Sequence, residues 1–369
     1  MKGQEGRKVM IMKKMTRSNI ITVGLVVLAY IIVQILVATG NISSLMKGLL
    51  VPICVYAILA VSLNLTVGIL GELSLGHAGF MCVGAFASAF FSKYVKMFAP
   101  DVPDGLRFLA AILIGAIVAG IFGVLIGIPV LRLKGDYLAI VTLAFGEIIK
   151  NIINILYIGI DENGLHFSMK SSLDLHMEDS EKIIINGAQG ITGTPGDSNF
   201  TIGVILLILT LLVVLNLVQS RDGRAIMAIR DNTIAAEVTG IPVTKYKLMA
   251  FSISAALAGV AGVLYAHNLS TLTALPKNFG YNQSIMILVF VVLGGMGNIR
   301  GSMIAAVVLT LLPELLRGVV SDTRMLIYAV ILIVMMLFNW APGCIAWRKR
   351  VTAILKGKLN QKKTVKEAE

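Results

Sequence analysis

Charge is scarce in this chain: Asp, Glu, Lys and Arg together make up 14% of 369 residues, against 57% hydrophobic. A soluble globular protein could not cover so much apolar surface, so that class is excluded. Cysteine is nearly absent. Cys54 and Cys82 fall in apolar runs and Cys344 lies just beyond the last of them. None has metal-ligand spacing, and all three read as small core residues. The four histidines are scattered singly, and H-E-x-x-H, C-x-x-C and G-x-S-x-G are all missing. No G-x-x-x-x-G-K-[ST] occurs either, so the chain has no phosphate loop with which to hydrolyse ATP. An enzyme is not expected, nor a cofactor or metal held by this chain.

What remains is apolar sequence in long runs. Residues 20–38, 49–70, 108–131, 200–218 and 249–266 contain no Asp, Glu, Lys or Arg. Each is close to the ~20 residues that cross a bilayer as a helix. Weaker candidates are 76–92, 138–156, 284–293, 302–316 and 325–343. The expectation is an all-α, polytopic integral membrane protein with about ten transmembrane helices. The least secure span is 284–293, which is short and runs into Gly294, Gly295 and Gly297. The first span resembles a secretory leader, but it is long, and cleavage would remove the basic segment before it.

The net charge of +12 would suit nucleic acid, but its distribution points to a membrane. With Lys2, Arg7, Lys8, Lys13, Lys14 and Arg17 holding segment 1–19 in the cytoplasm, alternating crossings place 71–75, 132–137, 219–248, 294–301 and the basic tail 344–369 inside as well. Those segments carry 22 of the 32 Lys and Arg residues, the asymmetry of a cytoplasmic face. The longest outer loop, 157–199, is acidic. The membrane domain is 20–343, both termini are expected inside, and the localisation is a bacterial plasma or inner membrane.

The most informative polar stretch is R-D-G-R-A-I-M-A-I-R-D-N-T-I-A-A-E-V-T-G-I-P-V-T-K-Y-K, Arg221 to Lys247. Asp222 is expected to cap a short helix over 224–230 and Asp231 a second over 232–239, with Gly240 and Pro242 ending it. A pair of capped helices with five Lys and Arg at a membrane surface is suited to docking. An ordinary basic loop, held inside by its charge, is the alternative.

Gly115, Ala119, Gly123 and Gly127 recur every four residues, a smooth stripe for close helix packing, and Ala255, Ala258, Gly259 and Gly262 repeat the device. Static packing is favoured over sliding. Glu147, Lys150, Asn151 and Asn154 share one face of 138–156, where a charge at membrane depth costs ~2.5–3.5 kcal/mol. Glu147 and Lys150 either neutralise one another at i,i+3 or face a pathway. Glu72, Ser74 and His77 lie among Gly68, Gly71, Gly76 and Gly79, with Ser62, Asn64 and Thr66 upstream. So many glycines predict a broken or re-entrant segment there. The candidate translocation-path residues are therefore Asn64, Glu72, Ser74, His77, Glu147 and Asn151.

Ordered motifs now add a resemblance. They are S-L-N-L-T-V-G-I-L-G-E-L-S-L-G-H-A-G-F (62–80), L-K-G-D-Y-L-A-I-V-T-L-A-F-G-E-I-I (133–149), N-G-A-Q-G-I-T-G-T-P (186–195) and the island itself. Y-K-L-M-A-F-S-I-S-A-A-L-A-G-V-A-G-V-L-Y-A (246–266), V-V-L-G-G-M-G-N-I-R-G (291–301) and L-L-P-E-L-L-R (311–317) follow. Over roughly 50–345 the chain resembles the permease subunits of branched-chain amino acid ABC importers, LivM type; the insert at 161–182 and the tail lie outside the pattern. The resemblance implies an importer permease of type II-like architecture. It implies a sister permease, two cytoplasmic ABC ATPases that bind the ATP, and an extracytoplasmic substrate-binding protein, all around a lipid bilayer and without nucleic acid. It also implies that the island contacts the ATPases, with Ala235, Ala236, Glu237 and Gly240 matching an Ala/Glu/Gly core. Glu237 then suits a basic rim, and Arg224 and Arg230 an acidic one. Conventional importers order that core E-A-A, whereas here it runs A-A-E, so contact geometry is not carried over in detail.

Leucine, isoleucine and valine are the favoured cargo, with urea or short-chain amides, then sugars, as rivals; in such importers the binding protein sets most of the selectivity. From another class, an ion-driven secondary transporter explains the spans and Glu147 but not a capped cytoplasmic island. A non-transporting scaffold is the third alternative.

Overall fold

The fold is described from a computed structural model, which covers residues 2–40, 43–133, 135–161, 164–172, 175, 183–317, 329–330 and 333–334. The chain divides into two compact units, Met1–Thr310 and Leu311–Glu369. In the second unit the described residues are all helical. Cys344, the tail, most of the 325–343 span and much of the 161–182 insert lie outside the described residues.

Helix α1 runs Lys2–Ala38, α2 Ser44–Asn64, α3 His77–Phe98, α4 Asp104–Val130 and α5 Asp136–Asn154. After an external loop come α6 Phe200–Gln219, α7 Arg221–Asp231, α8 Thr233–Val238 and α9 Val243–Ala266. Short α10 (Pro276–Phe279) precedes α11 (Tyr281–Gly294) and α12 (Ile299–Arg317). Among the described residues, six helical stretches are long and apolar enough to cross a membrane: Asn19–Ala38, Ser44–Leu70, His77–Phe98, Asp104–Val130, Phe200–Gln219 and Val243–Ala266. Helix α5 carries Asp136, Glu147 and Lys150, and α11 is shorter, so neither reaches that standard; yet both fall on spans expected from the sequence.

Lipid offers no hydrophobic drive for helices to associate, so close packing through small residues holds such a bundle together. The core is the trio α3, α4 and α9, and both expected glycine stripes sit at its contacts. A Cβ at Gly84 would lie 2.4 Å from Gly259 Cα, and one at Gly259 would lie 2.6 Å from the Gly115 carbonyl oxygen. Gly123 faces Ala255, and Gly262 lies against the Met81 carbonyl. Helix α2 packs on α9 and is almost wholly enclosed from Val55 to Leu65. By contrast, Asn19–Ala38 of α1 is mostly exposed and touches α6, where Tyr30 Oη lies 3.1 Å from Thr201 Oγ1.

The loops sort to two ends. At one end, the turn after α2, the α7–α8 island and the 295–298 turn meet through Arg230 to Gly68, Lys247 to Glu72 and Gly297 to Asn64. At the other, Lys93 Nζ donates to the Ile183 carbonyl (3.0 Å) and Arg107 forks onto Asp197 (3.1 and 2.8 Å).

The loop between α5 and α6 has its own structure. Strands β1 (Tyr157–Asp161), β2 (Gly164–Ser168) and β3 (Ile183–Asn186) form an antiparallel sheet in the order β2-β1-β3. Ile158 pairs with Phe167 on one side and Ile185 on the other. Strand β4 (Ile191–Thr192) pairs with β5 (Thr271–Leu272), fastening the loop to the segment after α9.

Candidate functional site

Two features bear on function: a break between α2 and α3, and the α7–α8 island beneath it. Helix α2 widens into a π-helical turn, Leu65–Leu70, and stops at Gly71, whose φ of +82° is left-handed. A side chain there would be strained, and a Cβ would lie 2.6 Å from Arg230 Cγ. Residues 71–76 then run without helical structure before α3 begins at His77. Non-helical backbone at membrane depth must be covered by protein or line a cavity. Here most of it is covered.

Several polar residues do the covering. Leu75 N donates to Thr142 Oγ1 on α5 (3.0 Å). Ser62 Oγ donates to the Leu59 carbonyl (2.9 Å) and lies 2.7 Å from His77 Nε2. With the hydroxyl proton directed to Leu59, His77 supplies the proton of the second bond. The Ala78 amide at the start of α3 donates to Ser284 Oγ (3.1 Å).

Asn64 is fully buried and bridges three segments: Nδ2 donates to Ser302 Oγ (2.9 Å) and Oδ1 accepts from Gly297 N (2.8 Å). Asn64 and His77, which the sequence offers as path residues, are both buried and hydrogen-bonded to neighbouring segments. Glu72 forms an ion pair with Lys247 at the start of α9. Ser74 Oγ is buried and finds no partner among the described residues. Farther along α5 than Thr142 lie Glu147, Lys150 and Asn151. Glu147 and Lys150 form the i,i+3 ion pair, and Glu147 Oε1 also accepts the Tyr281 amide at the start of α11 (2.7 Å). A carboxylate suits that unpaired helix end. Asn151 is exposed.

The island folds as two helices, with its caps placed differently from expectation. Ser220, not Asp222, caps α7: its backbone is extended and Oγ accepts from Gly223 N (3.0 Å). Asn232, not Asp231, caps α8, with Oδ1 accepting from Ala235 N (3.0 Å). The helices are therefore 221–231 and 233–238 rather than 224–230 and 232–239. Asp222 sits in the first turn of α7, where its charge still complements the helix end, and Asp231 pairs with Arg230 (2.9 Å). Gly240 ends α8 as expected, with φ +84°.

Arg224 and Arg230 turn toward the chain itself. Arg224 Nη1 donates to the Gln219 carbonyl at the end of α6 (3.1 Å), and Arg230 Nη1 to the Gly68 carbonyl (3.2 Å). Of the A-A-E core, Ala236 is buried against the body while Ala235 and Glu237 face outward. Two residues that the sequence reading missed stand beside them: Ile234 and Val238 are 76% and 84% exposed. Their i,i+4 spacing makes one apolar ridge on α8. Two β-branched apolar residues amid a polar island were the available signal. A cleft of about 920 Å³ between α1 and α6, lined by Val23, Val27, Ile31 and Leu212, shares no residue with either feature.

A bundle of long apolar helices, broken between α2 and α3 and carrying a short exposed helix between two spans, is that of a polytopic membrane protein. Residues 45–338 match the family described as branched-chain amino acid transport system / permease component. The chain belongs to that family. It is 36% identical over 298 residues to the high-affinity branched-chain amino acid transport system permease protein LivM of Salmonella typhimurium, covering 78% of this chain and 67% of the relative. The LivM of Escherichia coli is 35% identical over the same extent. LivH of Escherichia coli, another permease protein of that name series, is 22% identical over 293 residues, 78% of this chain and 90% of the relative.

Proposed function

We propose that this chain is one transmembrane half of an ATP-driven, binding-protein-dependent importer of branched-chain amino acids. Family membership and similarity to the LivM proteins of branched-chain amino acid transport systems favour leucine, isoleucine and valine over urea or short-chain amides. Similarity to both LivM and LivH supports pairing with a sister permease. The end carrying the island faces the cytoplasm, because the segments assigned to that side hold most of the Lys and Arg.

The observation that carries the reading is α8, whose Ile234 and Val238 stand out from the body with nothing of this chain over them among the described residues. An ABC ATPase closing around ATP would grip this ridge, with Glu237 beside it. Helices α7 and α8 connect directly to α6 and α9, so movement of the ridge tilts those two spans. ATP itself binds the companion ATPases, and an extracytoplasmic binding protein delivers substrate to the acidic face.

Uptake of labelled leucine into proteoliposomes tests this. Import is expected only with the sister permease, ATPases, binding protein and ATP all present. Gradient-driven uptake by the chain alone would instead mark a secondary transporter.

A further inference from the structure

The island is tied to the helix break as well as to its own flanking spans. Arg230 on α7 lays its aliphatic stem against Gly71 and donates to the Gly68 carbonyl in the π-helical turn. Lys247, at the first turns of α9, reaches Glu72 within the non-helical stretch. These contacts bridge 162 and 175 residues of sequence and converge on neighbouring positions. Lys247 is 8% exposed as a residue, so its charge has little access to water and depends on Glu72. The carbonyl of Gly68 is likewise one of those that a helix end leaves without an intrahelical donor.

Beyond the break, the same short segment is fastened upward. Leu75 N is held by Thr142 of α5, and His77 by Ser62 of α2. Asn64 fixes the turn at Gly297 and α12 at Ser302. A continuous polar chain therefore runs from α7 through residues 68–77 to α3 and α5.

We propose that Arg230 and Lys247 are positioning residues that transmit movement of the island into the 71–76 break, so that α3 and α5 shift together with α6 and α9. The break serves as the receiver because its middle, residues 73–75, lies outside any helix and offers little resistance to bending, whereas α3, α4 and α9 are locked backbone to backbone. This rests on the importer reading above and adds a second output to the ATPase grip.

The test is ATP hydrolysed per leucine imported by the complete assembly in proteoliposomes. Lys247→Met should leave hydrolysis within about twofold of wild type while raising ATP per leucine about fivefold or more, the low end of coupling between sites. The reversed pair, Glu72→Lys with Lys247→Glu, should bring that ratio back to within about twofold. Arg230→Met, which keeps the stem and removes the donor, is the second variant, scored by the same ratio should Lys247→Met fail to fold. An unchanged ratio in the folded variants overturns the proposal. So does a parallel fall of uptake and hydrolysis that the reversed pair does not restore, since that marks a purely structural tie. A wild-type assembly that imports nothing with ATP would instead count against the importer reading itself.

Discussion

Gly84 of α3 and Gly259 of α9 meet backbone to backbone: a Cβ on the first would lie 2.4 Å from the second's Cα. No side-chain rotation relieves such a clash, so Gly84→Val must push the helices apart. We expect a loss of about 1–3 kcal/mol, as for overpacked cores, read as a lower melting temperature in detergent. Gly48, in α2, has no atom within 4 Å of its Cβ position. Gly48→Ala should be neutral or stabilise by up to ~1 kcal/mol through helix propensity.

Asn64 predicts a different pattern. Replacing it with Leu strands the Gly297 amide and removes the Ser302 bond, at a cost of about 1–3 kcal/mol per unsatisfied buried group. Melting temperature should fall while leucine uptake per folded assembly persists. Lost uptake at an unchanged melting temperature would return Asn64 to the pathway.

For Glu147 the geometry favours the structural member of the two sequence alternatives. Glu147→Gln keeps an acceptor for the Tyr281 amide but leaves the enclosed Lys150 without a counter-charge. A loss on the order of 2 kcal/mol is expected, between an exposed pair and a fully buried one. Combining it with Lys150→Met should recover stability. Thermal unfolding of both variants, beside uptake normalised to folded protein, separates this from a pathway role.

These residues also mark what a single sequence reveals. Helices α1 to α6 and α9 follow from charge-free or amphipathic runs, and the break follows from four glycines between 68 and 79. Caps were harder to place because Ser, Asn and Asp serve almost equally well. The island offers all three within a few positions, so Ser220 and Asn232 were passed over for Asp222 and Asp231. The ties from Arg230 to Gly68 and from Lys247 to Glu72 were not legible at all, because no local pattern links residues so far apart in sequence. Arg230 consequently read as an outward-facing charge. The strands of the external loop were missed because β1 and β3 are short and apolar without clean alternation.

On α8 the ridge can be altered without touching the bundle. Ile234→Asp and Val238→Asp should leave the melting temperature unchanged, as both side chains are largely exposed. Uptake should fall at least about tenfold if each apolar contact contributes ~1.4 kcal/mol or more to ATPase docking. Gly240→Val acts through the backbone instead, forcing a left-handed φ of +84° at about 1–2 kcal/mol. It should misplace α8 and lower uptake with less effect on total ATP hydrolysis.

The most direct test is to place a photo-reactive residue at Val238 in the complete assembly and illuminate it with and without ATP. The account predicts an adduct with the ATPase subunit whose yield changes with nucleotide. Robust ATP-dependent leucine import without any such adduct would contradict it.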